Sequence, residues 1–189
     1  MSQPNSPPDP TGGDDDALVR RFRQGDHVAF RALYEFHHRR VFALALRLTA
    51  SREEAEEVTQ DTFVTAWRQR AAFRAEAAVS TWLHGIALRL CRQRWRGLLR
   101  RRRRDERHGR ESYRQTVERA MPGARLDLEV ALTTLPPRMR TAVVLHKVEG
   151  YTMAETASLM GIADGTVKTH VYRALTLLKQ RLGDGSWTA

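Results

Sequence analysis

Residues 150–182 read GYTMAETASLMGIADGTVKTHVYRALTLLKQRL, and this stretch decides the fold of the C-terminal part of the chain. Thr152 and Glu155 have the spacing of a capping box, which predicts the start of a helix. Gly161 suits the left-handed conformation that ends a helix, and Asp164 places a carboxylate at the N-terminus of the next one. Two helices joined this tightly must cross, so the stretch predicts a helix-turn-helix.

The second helix of this pair has two unlike faces at about 100° per residue. The apolar stripe, which we expect to face the protein, contains Val167, Val171, Ala174, Leu175, Leu178 and Leu182. The opposite stripe contains Thr166, Thr169, Tyr172, Arg173, Thr176 and Gln180, flanked by Lys168 and His170. Such residue types read bases in the major groove, so the pattern predicts DNA binding. An ordinary helical hairpin with a solvated polar face is the alternative.

The composition favours a nucleic-acid partner and a reducing compartment. The 189 residues are 41% hydrophobic, which is enough for one domain or two small ones, and the net charge is +10. Arginines crowd into residues 89–110 whereas residues 53–61 are acidic, which indicates two different partners. Cys91 is the single cysteine, which excludes an intramolecular disulfide and a Cys-based metal cluster. We expect it in the core, with redox sensing as the alternative.

The N-terminal sequence MSQPNSPPDPTGGDDD lacks the basic start and apolar run of a signal peptide. No run of about 20 apolar residues follows anywhere in the chain. We therefore expect a cytoplasmic protein that is associated with the nucleoid.

Helical periodicity runs through the chain without a strand pattern, which predicts an all-α fold. A short helix over residues 17–24 precedes a longer one. Ser51 and Glu54 form a second capping box that opens a helix to about Arg70, and Ser80 is expected to cap the helix after the next loop.

The chain divides into two small helical domains. Arginine replaces apolar residues over 98–125, which predicts a flexible basic linker that is in part helical. The predicted units are a disordered tail (1–15), a first domain (16–97), this linker (98–125), the helix-turn-helix domain (126–182) and a second tail (183–189). The run from Arg100 to Arg104 is either solvated or in contact with phosphates.

The helix over residues 53–67 has an acidic face that borders two aromatic rings one turn apart. The residues concerned are Glu56, Glu57, Gln60, Asp61, Phe63 and Trp67. Aromatic rings edged with acid are typical of a protein-binding surface, whereas a charged helical face is usually only solvated. The residues by themselves favour neither interpretation.

Aromatic and basic residues alternate in and after the loop at residues 73–79. The candidates for nucleic-acid contact are Phe73, Arg74, Trp82, Arg89, Arg92, Arg94 and Arg96. Rings stack on unpaired bases and guanidinium groups hold phosphates, so the segment suits single-stranded nucleic acid. Spacing alone favours the alternative that Trp82 packs in the core with Ile86.

No catalytic arrangement is found in the sequence. The seven histidines lack HExxH spacing, and neither a Gly-rich phosphate loop nor a GxSxG turn occurs. We expect no enzyme, no cofactor and no metal site.

Taken in order, these residues resemble the extracytoplasmic-function (ECF) sigma factors of bacterial RNA polymerase, a group of the sigma-seventy superfamily, over most of the chain. The matching motifs are Glu54-Ala55-Glu56-Glu57, Gln60-Asp61, Phe63 and Trp67; then Phe73-Arg74, Ser80-Thr81-Trp82-Leu83 and Ile86-Ala87; then Leu135-Pro136, Arg140, Leu145, Glu149-Gly150, Glu155, Ala157, Gly161-Ile162, Gly165-Thr166-Val167-Lys168 and Arg173-Ala174. Their shared order and spacing make the combination specific.

The resemblance implies a transcription initiation factor that directs core RNA polymerase to promoters. It implies contact with the clamp helices of the largest polymerase subunit and the flap of the second-largest, and an anti-sigma partner. Polymerase would be bound by Glu54, Glu56, Glu57, Gln60, Asp61, Phe63 and Trp67. The melted minus-ten element would be bound by Phe73, Arg74, Trp82, Arg89 and Arg92. The minus-thirty-five duplex would be bound by Thr166, Lys168, Thr169, His170, Tyr172 and Arg173. A free-standing helix-turn-helix regulator and a basic RNA-binding protein are the alternative functions.

Four features depart from the family pattern. Leu88-Arg89 stands where arginine-asparagine is common, which implies an unusual minus-ten preference or a different melting contact. Ala75 replaces a common glycine and should stiffen its loop, and Thr156 replaces an apolar residue at a small loss of packing. The linker is atypically basic, and its passage towards the RNA channel, as in the family, would allow contact with DNA or nascent RNA.

Overall fold

The computed structural model describes residues 15–75, 77–101, 106–120 and 126–182, and within them the fold is all-helical. The helices are α1 (Asp15–Arg23), α2 (His27–Thr49), α3 (Arg52–Gln69), α4 (Val79–Arg101), α5 (Glu106–Ala120), α6 (Leu126–Thr133), α7 (Pro137–Val143), α8 (Met153–Met160) and α9 (Asp164–Leu182). A 3-10 turn follows α3 at Arg70–Ala72, and a π-helical segment extends α7 over Val144–Val148. Both predicted tails lie outside the described residues, apart from Asp15 at the start of α1.

The helices α1, α3 and α4 pack around α2, which makes most of its contacts with α3 and α4. Asp26 caps α2 by accepting a hydrogen bond from the backbone N–H of Val28 at 2.8 Å. Ser51 accepts from the Glu54 N–H, as its predicted role at the start of α3 requires. The predicted cap at Ser80 is wrong, because α4 begins one residue earlier, at Val79, whose side chain is buried.

An aromatic cluster joins α1 to the rest of this bundle. The buried ring of Phe22 lies 6.1 Å from Phe30, 6.3 Å from Trp67 and 6.2 Å from Trp82, measured between ring centroids. Aromatic pairs at such distances contribute beyond the area that they bury. The short first helix is therefore part of the core.

The Arg-rich stretch is helical in the parts that the structure describes. The helix α4 continues to Arg101, and α5 buries Tyr113, Thr116 and Val117 while packing on α6 and α3. The prediction that this stretch is partly helical is confirmed. Residues 102–105 lie outside the described ranges, so the role predicted for the run from Arg100 stays a prediction.

The helix-turn-helix forms as its sequence predicts. Thr152 and Glu155 make both bonds of the capping box at the start of α8, and Gly161 ends that helix with φ 63°. The crossing of α8 and α9 buries Ala157, Met160 and Val167. Among the described helices, none combines the length and hydropathy that a membrane span requires.

Candidate nucleic-acid and protein interfaces

The outer face of α9 presents the residues that its periodicity predicts. Exposed side chains are those of Thr166, Lys168, Thr169, Tyr172, Arg173, Thr176 and Gln180, and Tyr172 is 73% exposed. The inner stripe is anchored by four buried residues: Val167, Val171, Ala174 and Leu178. A single rigid helix thus offers a polar surface of the size that enters a major groove.

The hydroxyl of Thr169 is already used by its own helix. Its Oγ1 donates to the Gly165 carbonyl oxygen at 2.9 Å. This bond leaves the methyl group and an oxygen lone pair for a partner, so Thr169 can contact a thymine methyl or accept a hydrogen bond.

His170 differs from its neighbours on α9. Its ring is half-buried, and both ring nitrogens are shielded from solvent without a hydrogen-bond partner. Burial, followed by the charges of Arg138 and Arg173, lowers the pKa of His170. The ring nitrogens are therefore less available to a DNA base than the sequence suggests, and the predicted contact of His170 stays untested.

The acidic face of α3 is gathered around one arginine of α4. Arg94 hydrogen-bonds with Glu57, and its Nη2 donates to Asp61 at 2.6 Å. Its Nη1 lies 3.5 Å from the Glu54 carboxylate. Burial acts to lower the pKa of Arg94, but these carboxylates outweigh it and raise that pKa above its ordinary value. Sequence reasoning placed Arg94 on a nucleic-acid surface and missed this partner.

The two predicted rings of α3 lie at different depths. Phe63 is buried, and it forms the floor of a groove between α2 and α3. Side chains from both helices line that groove: Phe30, Tyr34, His38, Phe42, Arg52, Glu56, Thr59, Gln60, Phe63 and Val64. Trp67 is half-buried instead, with the Arg70 guanidinium 4.3 Å from its ring centroid. The α2 side of the groove was not predicted from the sequence. On that side, Tyr34 is 42% exposed.

The predicted minus-ten residues divide into core and surface. Phe73 is buried and stacks on Trp82, with ring centroids 4.6 Å apart and an interplanar angle of 24°. Trp82 itself is half-buried, while Arg74 and Arg89 are exposed. Arg92 is half-buried, and its Nη2 donates to the Leu159 carbonyl oxygen at 2.8 Å. Trp82 is therefore partly in the core and partly accessible, so both sequence-based alternatives, a core residue and a stacking platform, fit this side chain.

Comparison with known proteins places the chain in a family. Residues 33–104 match the family described as Sigma-70 region 2, and residues 125–178 match Sigma-70, region 4. The ECF RNA polymerase sigma factor SigM of Mycobacterium tuberculosis is 35% identical over 170 residues, which cover 89% of this chain and 85% of SigM. The chain is an ECF sigma factor. It directs core RNA polymerase to promoters through regions 2 and 4, and it is an initiation factor rather than an enzyme.

Two solved structures share the fold of this sigma factor. The sigma factor RpoE from Bartonella quintana, in complex with the anti-sigma factor NepR, superimposes with a TM-score of 0.62 at 25% identity. That match covers 83% of this chain and 98% of RpoE. CnrH, in complex with the cytosolic domain of CnrY, superimposes with a TM-score of 0.65 at 25% identity, covering 91% of this chain and 99% of CnrH.

Two departures from the family pattern have structural consequences in this sigma factor. Ala75 adopts φ 57°, a left-handed conformation that is costly for a residue with a Cβ atom. Thr156 is fully buried, and its hydroxyl has no hydrogen-bond partner. Each of these two residues therefore carries a cost in stability.

Cys91 lies in the core, as predicted. It is fully buried, and burial raises the pKa of its thiol to about 12. A thiol with so high a pKa is unreactive at neutral pH, which argues against redox sensing.

Proposed function

We propose that this sigma factor docks on core RNA polymerase through α3, using its acidic face and the groove that α3 forms with α2. The observation that carries this proposal is the acidic face itself, where Glu54, Glu57 and Asp61 surround the single guanidinium of Arg94. Three carboxylates against one cation leave a net negative patch that suits a basic partner.

The adjoining groove supplies the apolar part of the same surface. Its floor is the buried ring of Phe63, and Tyr34 and Val64 stand partly exposed at its edges. Interfaces combine such an apolar centre with a polar rim, here formed by Gln60 and Glu56. We assign this groove to apolar side chains of the polymerase clamp helices.

The polymerase proposal is tested by titrating core polymerase against the full-length chain with Glu57→Lys and Asp61→Lys. We expect binding to fall by about a hundredfold or more, because two attractive contacts become repulsive. Glu35→Lys is the control for a charge reversal outside the acidic face, since Glu35 is exposed on α2 and pairs with Arg31. Unchanged polymerase binding by the double variant would contradict the assignment.

We infer that the stacked pair of Phe73 and Trp82 holds unpaired bases of the minus-ten element, with Arg74 and Arg89 on the adjacent phosphates. The half-buried ring of Trp82 supports this inference, because one face is fixed by Phe73 while part of the ring stays accessible. Arg74 and Arg89 are exposed in the sequence segment that carries Trp82. One base is expected to leave the stack and enter the protein.

Promoter melting measured with 2-aminopurine in the minus-ten element tests this role. Trp82→Ala should reduce melting by the holoenzyme about tenfold or more, since one stacking contact contributes about 1–3 kcal/mol. Trp82→Phe keeps an aromatic face and should retain most of the melting. If both variants melted the promoter as the wild type does, Trp82 would be a core residue only.

The minus-thirty-five duplex is proposed to lie against the exposed face of α9, with Thr169 and Arg173 as the main base contacts. Lys168 is exposed beside them and suits a phosphate. We also propose an anti-sigma partner. RpoE and CnrH share the fold and are each solved in complex with another protein, which is an anti-sigma factor in the case of RpoE. We propose that the protein acts in the cytoplasm. Co-purification of such a partner with the tagged full-length chain would test this part.

A further inference from the structure

Two hydroxyl groups on the outer face of α9 are already bonded to their own helix. Thr169 Oγ1 donates to the Gly165 carbonyl oxygen at 2.9 Å, and Thr176 Oγ1 donates to the Tyr172 carbonyl oxygen at 3.0 Å. Each hydroxyl proton is therefore used by the backbone one turn earlier. Both threonines are exposed, and what they offer to a partner is a methyl group and the acceptor lone pairs of the oxygen.

The side chain of Tyr172 lies between these two threonines on the helix. Residues 169, 172 and 176 have the spacing of a single helical face, because neighbours three and four residues apart share a face. Among the described residues, no large hydrophobic side chain is more exposed than Tyr172, at 73%. Thr169 and Thr176 are about 10 Å apart along the helix axis. We call the two methyl groups and the ring the apolar strip of α9.

Two cations border the apolar strip. Lys168 and Arg173 are both exposed, and at about 100° per residue they fall on opposite sides of the line from Thr169 to Thr176. The strip keeps its place because the inner face of α9 is anchored by four buried residues. An apolar strip between two cations fits a groove that has methyl groups on its floor and phosphates along its edges.

The major groove of DNA displays one apolar group, the C5 methyl of thymine. Cytosine lacks this methyl group, and the minor groove does not display it. Threonine methyl groups and aromatic rings are suitable apolar contacts for it. Base pairs follow one another at about 3.4 Å along the DNA axis, so a strip about 10 Å long can meet about three of them.

We propose that the apolar strip of α9 reads thymine methyl groups, so that the minus-thirty-five element of this sigma factor has thymines, on either strand, at neighbouring base pairs. This inference rests on the proposal that the exposed face of α9 lies against duplex DNA. It assigns the base contact of Thr169 to its methyl group rather than its hydroxyl. It also makes Tyr172 and Thr176 specificity-determining residues.

Selection of DNA by the holoenzyme identifies the element that the strip reads. Duplex DNA randomised over both promoter elements is bound by core polymerase with the full-length chain, and the retained DNA is sequenced. We expect thymine at two or more neighbouring positions of the minus-thirty-five element. Each selected thymine is then replaced with deoxyuridine, which removes only the methyl group. The affinity of the holoenzyme should fall about fourfold for each methyl group that the strip contacts.

Two substitutions of Thr169 separate the role of its methyl group from that of its hydroxyl. Thr169→Ser keeps the hydroxyl and removes the methyl group. It should weaken binding to the selected DNA about fourfold and abolish the preference for thymine over deoxyuridine at one position. Thr169→Val keeps a methyl group and removes the hydroxyl, so it should retain that preference. The same pair of substitutions at Thr176 should act on a second position.

Two results would overturn the inference. The first is full discrimination between thymine and deoxyuridine by Thr169→Ser together with its loss in Thr169→Val, which would show that the hydroxyl reads the base. The second is equal affinity of the wild-type holoenzyme for thymine and deoxyuridine at every selected position. In that case the methyl groups make no contribution to recognition.

Selection with Arg173→Ala distinguishes failure of this inference from failure of the proposed function. If Arg173→Ala relaxes the selected sequence at one position while deoxyuridine is tolerated at every position, α9 reads the duplex and only the methyl contacts are wrong. If neither Arg173→Ala nor any threonine variant changes the selected minus-thirty-five sequence, the proposed duplex contact of α9 is wrong as well.

Discussion

The face of α9 and the paired faces of α3 and α4 differ in what their predicted binding residues touch. On α9, Thr169, Tyr172 and Arg173 stand exposed on one helix. On α3 and α4, Asp61 is paired with Arg94, and Arg92 is bonded to the Leu159 carbonyl. The surface that we propose for duplex DNA is therefore preformed, whereas the proposed binding residues of region 2 would have to exchange internal partners for external ones.

The largest effect is expected from Arg140, a buried cation on α7. Arg140→Leu leaves the Leu48 and Leu135 carbonyl oxygens without this donor. We expect a loss of about 3–5 kcal/mol in the free energy of unfolding, measured by urea titration. The neighbouring Arg138 is exposed, so Arg138→Leu should change stability by less than about 0.5 kcal/mol. Equal effects would show that the internal contacts do not stabilise the protein.

The second prediction concerns pH and the buried pair of His84 and Tyr151. Burial, followed by the charges of His37 and Arg40, lowers the pKa of His84 from 6.5 to about 4. The unfolded chain therefore binds a proton at His84 more readily than the folded protein does. The contribution of neutral His84 to the free energy of unfolding is complete above about pH 6.5 and is lost as the pH falls towards 4. The loss should reach about 3 kcal/mol.

Unfolding free energies of the wild type and His84→Gln between pH 4 and 7 isolate this effect, because the other titrating groups are common to both proteins. The gap between the two should narrow as the pH falls below 6.5. A constant gap would mean that His84 is accessible to protons in the folded protein. It would weaken the conclusion that polar side chains of region 2 are held by internal partners.

The third prediction addresses the exposed surface of α9. Arg173→Ala should weaken binding to a minus-thirty-five duplex by about 1–3 kcal/mol and relax the preference at one base position. It should leave the free energy of unfolding unchanged, because the side chain is exposed. Lys179, also exposed on α9, offers a comparison nearer the C-terminal end, where Lys179→Ala should have the smaller effect. A loss of stability in Arg173→Ala would mean that this face is not preformed.

The smallest effect is expected at the buried hydroxyl of Thr156 on α8. Thr156→Val removes a hydroxyl that has no hydrogen-bond partner and keeps the shape of the side chain. We expect a gain of about 1 kcal/mol in the free energy of unfolding, read from urea titration, with duplex affinity unchanged. A loss of stability would show that the hydroxyl has a partner after all.

Sequence predicted best those features that depend on neighbouring residues. The capping box of Thr152 and Glu155, the turn at Gly161 and the stripes of α9 require only local spacing, and the structure confirms each of them. The start of α4 was misplaced at Ser80: the helix begins one residue earlier, at Val79, whose side chain is buried.

Contacts between distant residues left no signal in the sequence. Arg94 and Asp61 are 33 positions apart, and Arg140 and Leu48 are 92 apart. Arginine periodicity does not show which arginine faces inward, so Arg94 and Arg92 were both assigned to nucleic acid. The packing of α5 did leave a signal, because Tyr113 and Val117 lie four residues apart within the Arg-rich stretch and are both buried.

The most direct test of the proposal that separate surfaces bind polymerase and duplex DNA uses two full-length variants. For each variant, it measures the affinity for core polymerase and the affinity for a minus-thirty-five duplex. We expect that Glu57→Lys with Asp61→Lys loses polymerase binding and keeps duplex binding, and that Arg173→Ala keeps polymerase binding and loses duplex binding. A variant that lost both affinities while remaining folded would contradict the separation of the two surfaces.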